Sequence, residues 1–217
     1  MQEREFNAFV VLTSLFVGCL IISSVLAAKI ITIFGIVVPA GVFGYCITFV
    51  CTDVIGEIWG KHRANQVVTG GFVALIVSFL LIKLALIWPP APFWHYGPQF
   101  GKILGMTPRI IIGSLCAYLV SQFHDVWAYH YLKEKTRGRH LWLRNNVSTM
   151  VSQLLDSTIF ITIAFYKIMP VLPLILGQWS VKIVIAALDT AVVYWAVDFI
   201  TSYISRREDN SGAKQEV

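Results

Sequence analysis

The sequence predicts an all-α, polytopic membrane protein of six transmembrane helices, and three observations carry that expectation. The 217 residues are 57% hydrophobic and only 13% charged, where a soluble domain is about a quarter charged. Too few polar residues remain to build a soluble shell, so the bilayer must be part of the solvent. Six apolar stretches reach the length of about 20 residues that an α-helix needs to satisfy its backbone across roughly 30 Å of hydrocarbon. The basic residues lie mostly in the short gaps between those stretches, and a net charge of +5 spread in that way does not describe a nucleic-acid-binding module.

The first span runs from Phe6 to Ala27. Val25-Leu26-Ala27 resembles a leader cleavage site, but the apolar run exceeds a usual leader core and Glu3 and Glu5 spoil a basic n-region, so a retained helix is expected. Ser14 and Gly18, then Ser23 and Ala27, are small residues four apart, a spacing that lets another helix approach. The second and third spans run from Ile36 to Ile58 and from Val67 to Trp88. Gly41, Gly44, Gly56, Gly60, Gly70 and Gly71 cluster around them, read either as close helix packing or as helix breaks at a site. Pro89 to Arg109 holds Pro89, Pro90, Pro92, Pro98, Pro108 and three glycines, which predicts an irregular loop or a shallow cap over one mouth. The remaining spans run from Ile110 to Leu132, Val147 to Ile168 and Trp179 to Ile200. Residues 1–205 thus read as one six-helix domain, and 206–217 as a polar, disordered cytoplasmic tail.

With the N-terminus in the cytoplasm, eleven basic residues fall inside and five, Lys29, Lys102, Arg109, Lys167 and Lys182, fall outside, with Lys83 left within the third span. The positive-inside rule therefore places both termini in the cytoplasm. Trp88, Trp94, Trp127, Trp142 and Trp179 fall near span ends, where an aromatic belt explains them. Cys19, Cys46, Cys51 and Cys116 all fall in apolar runs without a CxxC, which argues against disulfides or zinc.

Carboxylates are the anomaly. One at the bilayer centre costs about 2.5–3.5 kcal/mol on insertion scales, so each needs a partner, a water-filled cavity or a function. Asp53 and Glu57 fall in span 2, Asp125 in span 4, Asp156 in span 5, and Asp189 and Asp198 in span 6, while Lys83 is the one lysine placed well inside a span. At about 1.5 Å of rise per residue, Asp53, Gln122, Asp125, Gln153 and Asp156 lie at similar depths and could converge. Ser121-Gln122-x-x-Asp125 is repeated as Ser152-Gln153-x-x-Asp156, each placing amide and carboxylate on one face. The stripes extend as Tyr118, Gln122, Asp125, Tyr129 and as Asn146, Thr149, Gln153, Asp156, Phe160. Carboxylates accept N–H groups, amides read mixed edges and rings stack, which suits a flat, hydrogen-bonding ligand. The competing explanation is that the same residues are interhelical glue. His124, beside Asp125, reads equally as a proton relay or as a packed hydrogen-bonding residue.

The chain resembles the queuosine precursor transporter family, also called the vitamin uptake transporter family, from span 2 to span 6. The likeness rests on Thr52-Asp53-Val54-Ile55-Gly56-Glu57-Ile58-Trp59-Gly60, on Ser121-Gln122-Phe123-His124-Asp125-Val126, and on Trp142-Leu143-Arg144-Asn145-Asn146-Val147-Ser148-Thr149 running into Ser152-Gln153-Leu154-Leu155-Asp156-Ser157. The resemblance implies a six-helix carrier in the cell membrane that takes up a 7-deazaguanine: a pre-queuosine base with a nitrile or aminomethyl arm, or queuine. It implies a substrate site drawn from Asp53, Glu57, Gln122, Asp125, Asn145, Asn146, Gln153 and Asp156. A guanine-like face presents N1–H and an exocyclic amine to a carboxylate, while an amide reads the remaining edge.

Two rival functions remain open at this level. Six short-looped helices also suit the substrate-binding component of an energy-coupling-factor transporter, whose ATPase would be another chain, since no GxxxxGK[ST] occurs here. An intramembrane enzyme would put His124 and Asp125 to acid–base work, but there is no HExxH or GxSxG. The expected partners are a small-molecule substrate and membrane lipid, without nucleic acid, metal or cofactor; assembly as a homo-oligomer stays open.

Overall fold

The computed structural model describes the backbone of residues 3–135 and 141–205, and all side chains there except those of 122–123, 125–126, 129–130, 132–135, 141–149, 186–190 and 205. The expected tail, 206–217, lies outside the described residues. Within them the chain forms α1 (Glu3–Leu26), a hairpin of β1 (Ile30–Ile33) and β2 (Ile36–Pro39), α2 (Val42–Ile87), α3 (Gly97–Leu104), α4 (Thr107–Lys135), α5 (Leu141–Phe165) and α6 (Val171–Ser205).

Length and surface both identify a membrane protein. At 46 residues α2 would be about 70 Å long if straight, more than twice the hydrocarbon thickness. Gly60 divides it: φ 82°, ψ 163° is non-helical and in a region essentially reserved for glycine. Residues 42–59 and 61–87 therefore correspond to the second and third expected spans. Trp88, with φ −68° and ψ 131°, ends the second of them because Pro89 disfavours the helical conformation in the residue before it. Large apolar side chains stand exposed at Val73, Ile76, Val77, Leu80, Leu81, Leu84 and Ile87, a continuous helical stripe that belongs in lipid rather than water. With α1, the two parts of α2, α4, α5 and α6, the chain is an all-α polytopic membrane protein.

Several boundaries differ from those expected, α5 beginning at Leu141 rather than Val147 among them. The apolar pattern predicts span 2 from Ile36, but Ile36–Pro39 pairs antiparallel with Ile30–Ile33 and the helix starts at Val42. The reversal at Phe34 (φ 49°) and Gly35 (φ 83°) is a two-residue turn with both central residues left-handed, the twist a tight hairpin needs. Span 6 begins at Val171, eight residues before Trp179. The proline-rich connection contains α3, whose first turn carries Pro98, where a missing N–H costs nothing.

The chain divides into two compact units. Unit 1 comprises Met1–Ser23, Phe43–Leu75 and Ile185–Val217. There α1 lies against both parts of α2 where glycine permits it. A Cβ on Gly44 would collide with Ser23 Oγ and come to 3.0 Å from the Cys19 carbonyl, and one on Gly71 would come to 2.6 Å from Phe16 Cε1. Close packing thus accounts for these two glycines and a helix break for Gly60. Trp59 donates its indole N–H to Glu5 Oε1 at 3.0 Å, with Phe9 edge-on to its ring.

Unit 2 comprises Ser24–Val42 and Ile76–Val184. Its core joins Ala27, Ile110, Ala117, Phe160, Ile161, Ala164, Phe165 and Leu174, with Ile30 and Val37 of the hairpin packed on it. Gly177 lets the hairpin lie directly on α6, since a Cβ there would strike the Val37 carbonyl. Arg109 of α4 donates from Nε to the Ile163 carbonyl and from Nη2 to that of Tyr166 at 3.0 Å. That places a cation on the open carbonyls at the end of α5.

Candidate functional site

In unit 2, α4 and α5 run antiparallel, and small residues set their separation. A Cβ on Gly113 would come to 3.2 Å from the Phe160 carbonyl. Further along α4 the contacts become polar while the α5 partners step backward: Ser121 Oγ reaches Asp156 Oδ1 at 3.5 Å, and His124 Nδ1 meets Ser152 Oγ at 3.0 Å. Of the expected α5 stripe, Gln153, Asp156 and Phe160 stand at helical spacing, with Phe160 buried, while the side chains of Asn146 and Thr149 lie outside those described.

The third wall is α6. Lys182 donates from Nζ to Asp156 Oδ2, and the two side chains are only 10% and 21% exposed. Trp179, one turn earlier, donates its indole N–H to the Met150 carbonyl at 3.3 Å. Lys182 was expected near the outer mouth of span 6. Because α6 starts at Val171, it stands eleven residues into the helix, about 17 Å along it. Lys83 is thus not the one lysine well inside a helix, and Asp156 does have a cationic partner.

On the same two helices Gln153 Oε1, Ser157 Oγ and Gln178 Oε1 are buried without a hydrogen-bond partner among the described residues. Gln153 and Ser157 flank Asp156 on α5, and Gln178 lies one turn before Lys182 on α6. Buried polar groups are ordinarily paired, so each of the three has hydrogen-bonding capacity left to give. Lys182, Ser157 and Gln178 are the residues that sequence reasoning missed. The signal available for them was the four-residue spacing of Gln178 and Lys182, legible only once the helix is begun at Val171.

The other expected site residues fare differently. Asp53 and Glu57 belong to unit 1, one turn apart on an exposed face of α2, with Val54 and Ile55 fully buried behind them. Gln122 and Asp125 belong to α4, and Asn145 and Asn146 to α5, but their side chains lie outside those described, as does that of Asp189. Among the described residues no three His, Cys, Asp or Glu side chains group to hold a metal.

The comparisons with known proteins agree with a membrane transporter. A family model described as "Putative vitamin uptake transporter" matches residues 39–196. A "Probable queuosine precursor transporter" of Bacillus subtilis is 32% identical over 176 residues, covering 79% of this chain and 77% of that protein. The "Queuosine precursor transporter" of Escherichia coli is 23% identical over 167 residues, covering 76% and 72%. A Haemophilus influenzae protein, also a "Probable queuosine precursor transporter", is 27% identical over 128 residues, covering 58% and 52%. No solved structure matches. By the extent of these matches the chain belongs to the vitamin uptake transporter family, a family of membrane transporters rather than enzymes.

Proposed function

We propose that this chain carries queuosine precursors, 7-deazaguanine bases, across the cell membrane into the cytoplasm. The observation that carries the reading is Asp156: a carboxylate held at the meeting of α4, α5 and α6, on a helix that also carries a buried amide oxygen and a buried hydroxyl with no hydrogen-bond partner among the described residues. A carboxylate accepts two parallel N–H bonds, and N1–H with the 2-amino group of a guanine-type base offers that pair. The names of the B. subtilis and E. coli relatives support the same substrate class.

In this reading Asp53, Glu57, Gln122, Asp125, Asn145, Asn146, Gln153 and Asp156 are substrate-contacting residues along the route, and both termini are cytoplasmic. The carboxylates at Asp53 and Glu57 are exposed on α2, and hydrocarbon is too costly a surrounding for them, so the reading gives that face to water or ligand. The test is uptake of labelled 7-cyano-7-deazaguanine, 7-aminomethyl-7-deazaguanine and queuine in a bacterial strain that can neither make nor import them. Expression of the chain is expected to restore accumulation of at least one, chemically unaltered. Accumulation of none, with the protein correctly inserted, would refute the assignment.

A further inference from the structure

We propose that Lys182 is itself a ligand-binding residue: the O6 carbonyl of a guanine-type base takes a hydrogen bond from its ammonium while Asp156 accepts from N1–H and the 2-amino group. The inference rests on the proposed function and adds to it the group that reads the third position of the base edge. Along that edge a guanine-type base presents an acceptor and then two donors. A carboxylate answers only the donors, and an O6 left against it would be an unpaired acceptor in a buried site.

The Lys182–Asp156 pair has the complementary order, one donor group followed by an acceptor with two oxygens. Both members also have capacity left over. An ammonium has three N–H donors, and among the described residues that of Lys182 uses one, to Asp156 Oδ2. Among the described residues Asp156 Oδ1 receives only the long 3.5 Å contact from Ser121. A base entering between α5 and α6 converts the direct ion pair into one bridged by its own edge. Charge stays balanced, and neither ionised group loses a partner. Gln178, 7% exposed and with its Oε1 unpartnered among the described residues, stands one helical turn from Lys182 on the same wall.

The alternative is that Lys182 does no more than hold Asp156 in place. Equilibrium binding of two bases to the purified full-length chain in nanodiscs separates the two roles. The probes are 7-deazaguanine and 2-amino-7-deazapurine, which lacks O6 and the N1 proton. The wild-type chain is expected to prefer 7-deazaguanine by about 100-fold or more, because the site's buried polar groups are stranded by the poorer base. Lys182→Met should cut that ratio by about tenfold without abolishing it, since Asp156 still reads N1–H, and Lys182→Arg should largely preserve it. Lys182→Gln, which also lacks the charge, serves the same comparison if the Met variant does not fold. A substitution that weakens both bases by one factor, leaving the ratio unchanged, overturns the inference and makes Lys182 a positioning residue. Failure of the wild-type chain to bind either base would instead remove the proposed function, and this inference with it.

Discussion

Lys182 and Asp156 join α6 to α5 through a charge-assisted hydrogen bond from Nζ to Oδ2. Neither can be neutralised alone without leaving the other's charge in a largely buried place. Lys182→Met and Asp156→Asn are therefore each expected to destabilise the protein by about 2–3 kcal/mol. The double variant should recover much of that loss. A thermal double-mutant cycle on purified protein checks this, and purely additive losses would show that the two side chains are not coupled.

Gly177 and Gly113 grade the tightness of two contacts within unit 2. A Cβ at Gly177 would collide with the Val37 carbonyl, whereas one at Gly113 would come to 3.2 Å from the Phe160 carbonyl. Gly177→Ala should cost about 1–3 kcal/mol, because backbone rather than a flexible side chain must move. Gly113→Ala should cost clearly less. Thermal stability of the two variants measured side by side decides it, with equal losses counting against so close an approach of the hairpin to α6.

Eleven basic residues against four, with Lys182 standing within α6, predict that both termini are cytoplasmic. Reporter tags at the two ends should both report cytoplasm. A periplasmic or extracellular signal at either end would reverse the direction in which the α4 and α5 sites are approached.

The helices were legible in the sequence because apolar runs of spanning length leave the backbone few alternatives to a helix. The polar stripe of α5 was legible because Gln153, Asp156 and Phe160 step by three and four. The hairpin was not. Ile30 to Val38 is apolar and β-branched, and a short run of that kind reads equally as strand or as helix start. Only Phe34-Gly35 hinted at a turn, and without the asparagine that usually announces a left-handed pair. Pro173 and Gly177 disguised the beginning of α6. Pro173 is harmless in a first turn, and Gly177 is there for the approach of Val37. Misplacing that start moved Lys182 to the membrane surface and hid the partner of Asp156.

Asp156→Asn keeps the size of the side chain and removes the charge that the account assigns to the ligand. Affinity for a 7-deazaguanine base should fall by about 10- to 100-fold, the worth of a charge-assisted hydrogen bond. Binding to the purified, correctly folded variant is the measurement. Unchanged affinity would make Asp156 interhelical glue.

Competition for uptake decides whether carboxylate-centred chemistry reads a guanine-like edge. Adenine presents an acceptor at N1 and has no 2-amino group, so it would strand the Asp156 carboxylate and face Lys182 with a donor. A site built around hydrogen bonds can reject such an analogue by about 10⁴. In proteoliposomes containing the purified chain and labelled 7-cyano-7-deazaguanine, unlabelled 7-deazaguanines are predicted to block uptake and adenine to leave it unaffected. Adenine competing as well as a 7-deazaguanine would show that Asp156 does not read the base edge.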